Sequence, residues 1–458
     1  MSDSVSIRSP WDGSEVGSVA RPSGEDVERA IAAASAAFAE TSRLPTYRRE
    51  EILRGVASRL EARQDELARG IAREAGKPLK AARTEVQRAV TTFHAAAAEA
   101  GRRAGDVLPL DVNSGSLGRW GVVRRFPLGP VCAITPFNFP LNLVAHKVAP
   151  AIAVGAPVVQ KPASQTPLSS MALRELVLDA GWPSDAYAVL TLSGAAAERL
   201  VTDPRLPVVS FTGSPLVGWR LKELAPRKRI ALELGGNAAA VVCADADLLD
   251  AASRIVTGAF SYAGQSCISL QRTFVHRSVF DELSRLVVEK TAALRLGDPL
   301  DETTDIGPMI TRDDALRALS WVDEAVAQGA RLLCGGTVDG SVMSATVLTA
   351  TSAAMKVECE EVFAPIVTLA PYDDFEDALR RVNESRFGLQ AGLFTRDLAA
   401  ITRAFETLEV GALIVNDVPT WRADRMPYGG VKGSGIGREG PAYAMEEFTE
   451  PRLLVMRA

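Results

Sequence analysis

The chain has 458 residues, 47% of them hydrophobic and 23% charged, with a formal net charge of −5. That length exceeds one ordinary core and predicts two or three domains of a globular protein. Net negative charge without a Lys/Arg run argues against nucleic acid as a partner.

The apolar stretch 141–160 is interrupted by His146, Lys147, Pro150 and Pro157, so no membrane span is expected. Met1 to Pro10 contains no apolar segment of the secretory type, and the expected location is cytoplasmic. The five cysteines (Cys132, Cys243, Cys267, Cys334 and Cys359) are scattered and form no Cys-x-x-Cys pair. Neither a disulfide framework nor a zinc site is expected. His94, His146 and His276 fall in no ligand pattern, so no metal is expected.

Residues Ser9–Gly13 and Val16–Val19 predict a hairpin with Asp12-Gly13 at its turn. From Ser23 the apolar spacing turns helical at Val27, Ala30, Ile31 and Ala34. Arg48–Ala72 reads as one long amphipathic helix, and roughly Ala81–Gly101 as another. After Gly121 the pattern changes: Val122–Phe126 alternates, and Val131–Ile134 is a buried-type strand. Val158–Gln160, Val208–Phe211 and Val241–Cys243 are apolar strands, each leading into a helix. Alternating strands and helices predict an α/β fold with parallel sheets.

Several groups along this frame carry chemistry. Thr212-Gly213-Ser214 opens a helix after a strand, where free N–H groups and a positive helix end suit a pyrophosphate. A plain structural turn explains it equally well. Lys161, on the same sheet edge, would hold a ribose hydroxyl or phosphate; taken alone it is more simply a solvated loop charge. Asn138, at the strand-to-helix junction before Pro140, is placed to donate to developing negative charge, or merely to cap the helix. Glu233 interrupts the apolar run 230–234, so its carboxyl should be desolvated and its pKa raised, as a general base requires. A buried ion pair is the other reading. Cys267 follows the Gly264-Gln265-Ser266 turn. A thiol with an ordinary pKa of about 8.5 needs activation there, and a packing cysteine is the default, as for Cys132 and Cys243. The glycine-dense segment 427–439 is read as close backbone packing beside a site.

In series, Pro136-Phe-Asn-Phe-Pro140, Lys161-Pro-Ala163, Phe211-Thr-Gly-Ser214, Glu233-Leu-Gly-Gly-Asn237, Gly264-Gln-Ser-Cys267, Glu360-Glu-Val-Phe363 and Pro427-Tyr-Gly-Gly-Val-Lys432 resemble the aldehyde dehydrogenase superfamily almost end to end. The resemblance implies a Rossmann-type dinucleotide-binding domain (1–115, 129–234 and 429–440) and an α/β catalytic domain (235–428). A small β segment (116–128 and 441–458) would join subunits into a homodimer or homotetramer. It implies Cys267 as nucleophile, Asn138 with the Cys267 N–H as oxyanion donors, and Glu233 as the base that activates water. NAD or NADP would be the cofactor. Lys161 and Glu361 would hold its riboses and Ser214 its pyrophosphate region, with Thr135, Pro136, Phe137, Gly213, Leu234 and Phe363 completing the site. Ser164 replaces a glutamate common in NAD-preferring members, which makes NADP use plausible. Gln160 and Ala364 depart from the usual apolar residue and glycine.

The segments 136–147, 267–272 and 422–427 look most like the lactaldehyde and semialdehyde dehydrogenase branch. Asn142 and His146, four apart on one helix face, with Ser266, Ile268, Trp421 and Arg422, would line a pocket for a small hydroxylated or anionic aldehyde. Arg422 and Arg425 are equally read as surface or intersubunit ion pairs. Ser266 stands where relatives handling strongly anionic aldehydes often carry arginine. Two alternatives remain: a CoA-acylating dehydrogenase, whose relatives generally lack the carboxylate at Glu233, and a non-catalytic protein keeping the fold.

Overall fold

In the computed structural model, residues 4–102 and 105–457 are described; Met1 to Asp3, at the start of the chain whose composition bore on localisation, and Ala458, the last residue of the expected β segment, lie outside them. The expected α/β architecture is built around two sheets. One runs Gly435–Ile436, Arg229–Glu233, Val208–Thr212, Val131–Ile134, Val158–Lys161 and Tyr187–Val189; all neighbours are parallel except the short Gly435–Ile436 edge. The other has seven strands centred on Ala238–Val242 and Leu270–His276. It is parallel except where Arg331–Cys334 joins Thr346–Thr349. The central strands are buried on both faces, which explains their unbroken apolar runs.

A third sheet pairs Arg119–Pro127 with Thr449–Arg457 on one side and Asp106–Pro109 on the other. Its outer strand carries Leu453, Leu454 and Val455, all about half exposed.

The N-terminal quarter is helical, as the periodicity predicts, with two differences. The hairpin strands are Ser4–Arg8 and Glu15–Ala20, so residues 9–14 form the turn rather than a strand. The stretch read as one helix from Arg48 is two, Thr46–Ala62 and Gln64–Ala75, broken where Arg63 takes φ −110° and ψ 20°. Apolar spacing continues across such a break because both helices bury the same side. The Gly24–Thr41 helix starts at a reciprocal Ser23–Asp26 capping box.

These helices pack on Asn142–Val154, a helix buried along its whole length. It starts two residues after Pro140, and its first amides have an unusual partner. Glu85 accepts the N–H groups of Leu141 and Asn142 at 2.9 and 3.1 Å, and also pairs with Lys77. Both side chains are essentially inaccessible to solvent. Gln160 is equally buried and satisfied: it accepts from the Tyr187 hydroxyl at 2.6 Å and donates to Ser170 at 2.8 Å. Its departure from an apolar residue is thus a local hydrogen-bond set.

Replacing Glu85 by alanine strands the Lys77 ammonium and two amides inside the protein. The Glu85→Ala variant is expected to lose about 3–5 kcal/mol of stability. The urea midpoint should fall at an unchanged slope; a midpoint within error of the parent would show that the pair carries no stability.

Candidate active site

The carboxyl ends of the parallel strands face a common crevice, the usual place for ligands in open α/β sheets. Glu233 ends one strand of the six-stranded sheet, and Asn138 follows another. Cys267 lies in the loop between Leu248–Phe260 and Leu270–His276 of the seven-stranded sheet. The chain reaches Cys267 through three left-handed residues, Tyr262, Ala263 and Gly264, with φ of 51°, 52° and 67°. The glycine is obligatory because a Cβ there would lie 2.1 Å from the Ala364 carbonyl oxygen. Tyr262 is pinned by its hydroxyl, which donates to the Ala75 carbonyl at 2.8 Å. Strain of this kind persists only where surrounding contacts over-determine it. Ala364 itself is not in the left-handed region; Phe363 is, at φ 51°, so an alanine is tolerated at 364.

The Asn138 amide donates to the Gln265 carbonyl at 3.0 Å, tying the two loops together across the crevice. It does not cap the helix that follows, whose N-cap is Leu141. Cys267 Sγ lies 2.8 Å from the Tyr428 hydroxyl. Burial pushes the thiol up to about 12, against the opposing effect of that hydrogen bond.

Both oxygens of Glu233 are buried and lack a hydrogen-bond partner. Its pKa is raised well above the ordinary carboxyl value, first by burial and then by the neighbouring Glu439 charge. A Cβ at residue 429 would lie 2.7 Å from Glu233 Oε1, so Gly429 leaves room for that carboxyl. Glu439 is the opposite case. Burial pushes it up, but Lys147 at 2.9 Å and Arg422 at 3.2 Å outweigh burial and hold it low. Lys147 also donates to Ser210 and Thr212 at 3.0 and 2.8 Å. Asp424 likewise stays well below the usual range: contacts with His146 at 2.9 Å and Arg88 at 2.8 Å overcome its desolvation.

The residues expected to hold a cofactor have the following surroundings. Ser214 is the N-cap of Pro215–Leu224 but makes no side-chain capping bond, leaving that helix start available to an anion. Gly213 lies against the Phe211 ring, and Leu234 packs where a Cβ on Gly218 would intrude at 2.3 Å. The Lys161 ammonium has no hydrogen bond or ion pair among the described residues, and burial lowers its pKa. Among the described residues the Glu361 side chain takes only the Gly236 N–H, at 3.0 Å, and burial pushes it up to about 7. Thr135 is buried, whereas Pro136 is only partly so and Ser164 is exposed. The Phe137 and Phe363 rings meet edge to face at 5.9 Å. A lysine ammonium without a partner, a glutamate with one backbone donor and a helix start without a side-chain cap are the chemical groups that suit ribose hydroxyls and a pyrophosphate.

Cys267 opens onto a cavity of about 510 Å³ whose lining includes Asn142, Ser266, Ile268, Arg422 and Tyr428. His146 and Trp421 do not line it. His146 is buried behind Asn142, between Asp424 and Arg422, and burial lowers its pKa. Trp421 is half exposed, and its carbonyl accepts from Gln390. Arg422 is an internal residue, stacked 3.6 Å over the Tyr428 ring, and only Arg425 is at the surface, 3.7 Å from Glu99. Sequence reasoning missed Lys147, Glu439, Tyr428, Asp424 and Arg88. Lys147 was visible as a charge inside an apolar helix, and Glu439 closes the glycine-dense segment; Asp424 and Arg88 left no comparable signal.

Residues 1–454 match the model of the aldehyde dehydrogenase family. The 3-sulfolactaldehyde dehydrogenase of Priestia megaterium is 46% identical over 433 residues, covering 94% of this chain and 90% of that protein. The structure of aldehyde dehydrogenase 21 from Physcomitrella patens, in complex with the reaction product succinate, superposes with a TM-score of 0.98 at 41% identity over 100% of this chain and 95% of that one. Glyceraldehyde-3-phosphate dehydrogenase from Methanocaldococcus jannaschii, complexed with NADP, gives 0.96 at 36% identity over the full length of both.

The contrast between the two glutamates is testable without turnover. Glu439→Gln removes the negative neighbour of Glu233 and frees two cations, both of which favour ionisation. The infrared band of the protonated Glu233 carboxyl, identified by its loss in Glu233→Gln, should disappear at lower pH in Glu439→Gln. An unmoved or upward midpoint would contradict the coupling.

Proposed function

The chain belongs to the aldehyde dehydrogenase family, and from that premise we propose that it oxidises a small hydroxylated or anionic aldehyde to its carboxylic acid with NAD or NADP. The observation that carries this reading is one crevice holding a cavity-facing thiol, an unpartnered buried carboxyl and an amide tied to the thiol's loop. Cys267, once its proton has passed to solvent, adds as the thiolate to the aldehyde carbon; the carbon–oxygen π bond breaks and the oxygen becomes an alkoxide. Asn138 and the Cys267 N–H steady that oxygen. The chemistry a bound nicotinamide ring supplies is acceptance of the hydride, which leaves a thioester on Cys267. Glu233 then takes a proton from water as the water attacks the thioester carbon, and the carbon–sulfur bond breaks. Its raised pKa, set by burial and the Glu439 charge, makes it a stronger proton acceptor than an ordinary carboxylate.

Lys161 and Glu361 hold the two riboses, and Ser214 with Gly213 receives the pyrophosphate region. Thr135, Pro136, Phe137, Leu234 and Phe363 shape the walls. Asn142, Ser266, Ile268 and Arg422 contact the substrate, while His146 acts through Arg422 and Asp424. Trp421 serves through its backbone at the rim. Arg88 and Arg422 give the cavity cationic edges for a hydroxyl or acid group, in keeping with relatives named for sulfolactaldehyde and lactaldehyde. The CoA-acylating alternative is disfavoured by the carboxyl retained at Glu233.

The same reading assigns 1–115, 129–234 and 429–440 to cofactor binding, 235–428 to catalysis, and 116–128 with 441–458 to subunit contact. An outer strand exposing Leu453, Leu454 and Val455 is an edge that needs a partner, supporting a homodimer or homotetramer. The expected location is cytoplasmic.

Cys267→Ala should abolish NAD(P)H production from lactaldehyde or a semialdehyde while cofactor still binds; surviving turnover would remove the nucleophile assignment. Glu233→Gln should give a burst of one reduced cofactor per site followed by slow turnover, and an undiminished steady state would point to another base. Exposed Ser164 leaves room for a 2′-phosphate. Ser164→Glu should therefore raise the KM for NADP at least ten-fold relative to that for NAD, and an unchanged ratio would place the discrimination elsewhere.

A further inference from the structure

Tyr428 touches the reacting sulfur, yet the reaction as described has no use for it. Its hydroxyl lies 2.8 Å from Cys267 Sγ, and the ring is 2% exposed. A phenylalanine would fill the same space, and a buried phenol hydroxyl must find a partner. The partner here is the sulfur. Arg422 stacks over the same ring at 3.6 Å, and its guanidinium is itself fixed by Glu439. A cation over the π face withdraws density from the phenol and makes its O–H a stronger donor. Tyr428 and Arg422 both line the cavity that Cys267 faces.

We propose that Tyr428 is a further catalytic residue, whose hydroxyl donates a hydrogen bond to the Cys267 thiolate and is strengthened by Arg422 stacked on its ring. The assignment rests on Cys267 being the nucleophile. With the thiol protonated, either atom can be the donor; once the proton leaves, only the phenol can donate. Burial raises the phenol's own pKa well above the ordinary value, so it stays protonated and acts as donor rather than base. The bond offsets part of the desolvation that opposes ionisation of Cys267. It works a second time when water displaces the acyl group: the carbon–oxygen bond forms, the carbon–sulfur bond breaks with its electron pair on sulfur, and the departing thiolate meets the same O–H.

A hydrogen bond to an ionised group is worth about one pH unit or more. Thiolate reactivity falls as its pKa falls, with a Brønsted slope of about 0.4–0.5, so each unit changes the rate below the inflection by only about three-fold. The experiment is alkylation by iodoacetamide across pH, with modification quantified on the Cys267 peptide. Exposed Cys359 provides an internal reference in the same molecules. Tyr428→Phe should move the Cys267 inflection up by about one pH unit or more, slow alkylation below it about three-fold per unit, and leave Cys359 unchanged. Replacement of Tyr428 by 3,5-difluorotyrosine keeps the shape, sharpens the donor and should move the inflection down. It also preserves a readout should the phenylalanine variant fold poorly. An unmoved inflection in either folded variant, or a shift of the opposite sign, overturns the proposal. Turnover by Cys267→Ala would instead remove the nucleophile reading on which it stands, so the two failures are distinguishable.

Discussion

Two carboxylates with opposite surroundings organise the crevice. Glu439 meets Lys147 and Arg422, whereas Glu233 is equally buried and meets neither. A buried charge is tolerated only when paired and hydrogen-bonded. Glu439 therefore carries the local negative charge, and its presence keeps a second one off Glu233. Lys147 is fixed by Ser210 and Thr212 on the same strand. Arg422 is fixed between Glu439 and the Tyr428 ring. The pair thus fixes the geometry of groups that themselves reach Cys267.

That arrangement depends on backbones approaching more closely than side chains allow. Gly435 and Ile436 pair with Glu233 and Leu232, and a Cβ at 435 would sit 1.9 Å from the Leu232 carbonyl oxygen. The segment from Tyr428 to Glu439 is thereby laid along the strand that ends in Glu233. One stretch of chain delivers the phenol to the sulfur, leaves space beside Glu233 at Gly429, and returns Glu439 to Lys147. Glycine density in the sequence reflects this triple fit.

Much of the frame was legible because burial on both faces leaves an unmistakable mark. Val131–Ile134 and Val208–Thr212 are apolar runs short enough for strands, each followed by a helix. Arg63 was not legible as a break, since neither a glycine nor a proline announces it. At the site, Cys267, Glu233 and Asn138 stood out as polar groups in places that do not need them. His146 looked like a pocket residue from its spacing to Asn142, but periodicity gives the helix face and not which neighbour covers it. Asp424 covers it, from a loop 278 residues away in sequence. Arg88 was hidden for the same reason, as one arginine among many on an amphipathic helix, distinguished only by the Asp424 carboxylate that holds it.

The resting site is a quiet one. The same desolvation raises both Cys267 and Glu233, so burial opposes charge on the thiol and on the carboxyl alike. A dry crevice also makes each remaining dipole more effective, because the local dielectric no longer dilutes it. Asn138 is held by the Gln265 carbonyl, and the Tyr428 ring lies beneath Arg422. On the proposed roles, both donors already lie beside the atoms on which charge would develop. Burial that suppresses the nucleophile at rest therefore favours the charged species formed later, provided the donors are already aimed. The strained turn through Tyr262, Ala263 and Gly264 keeps the sulfur within that aim.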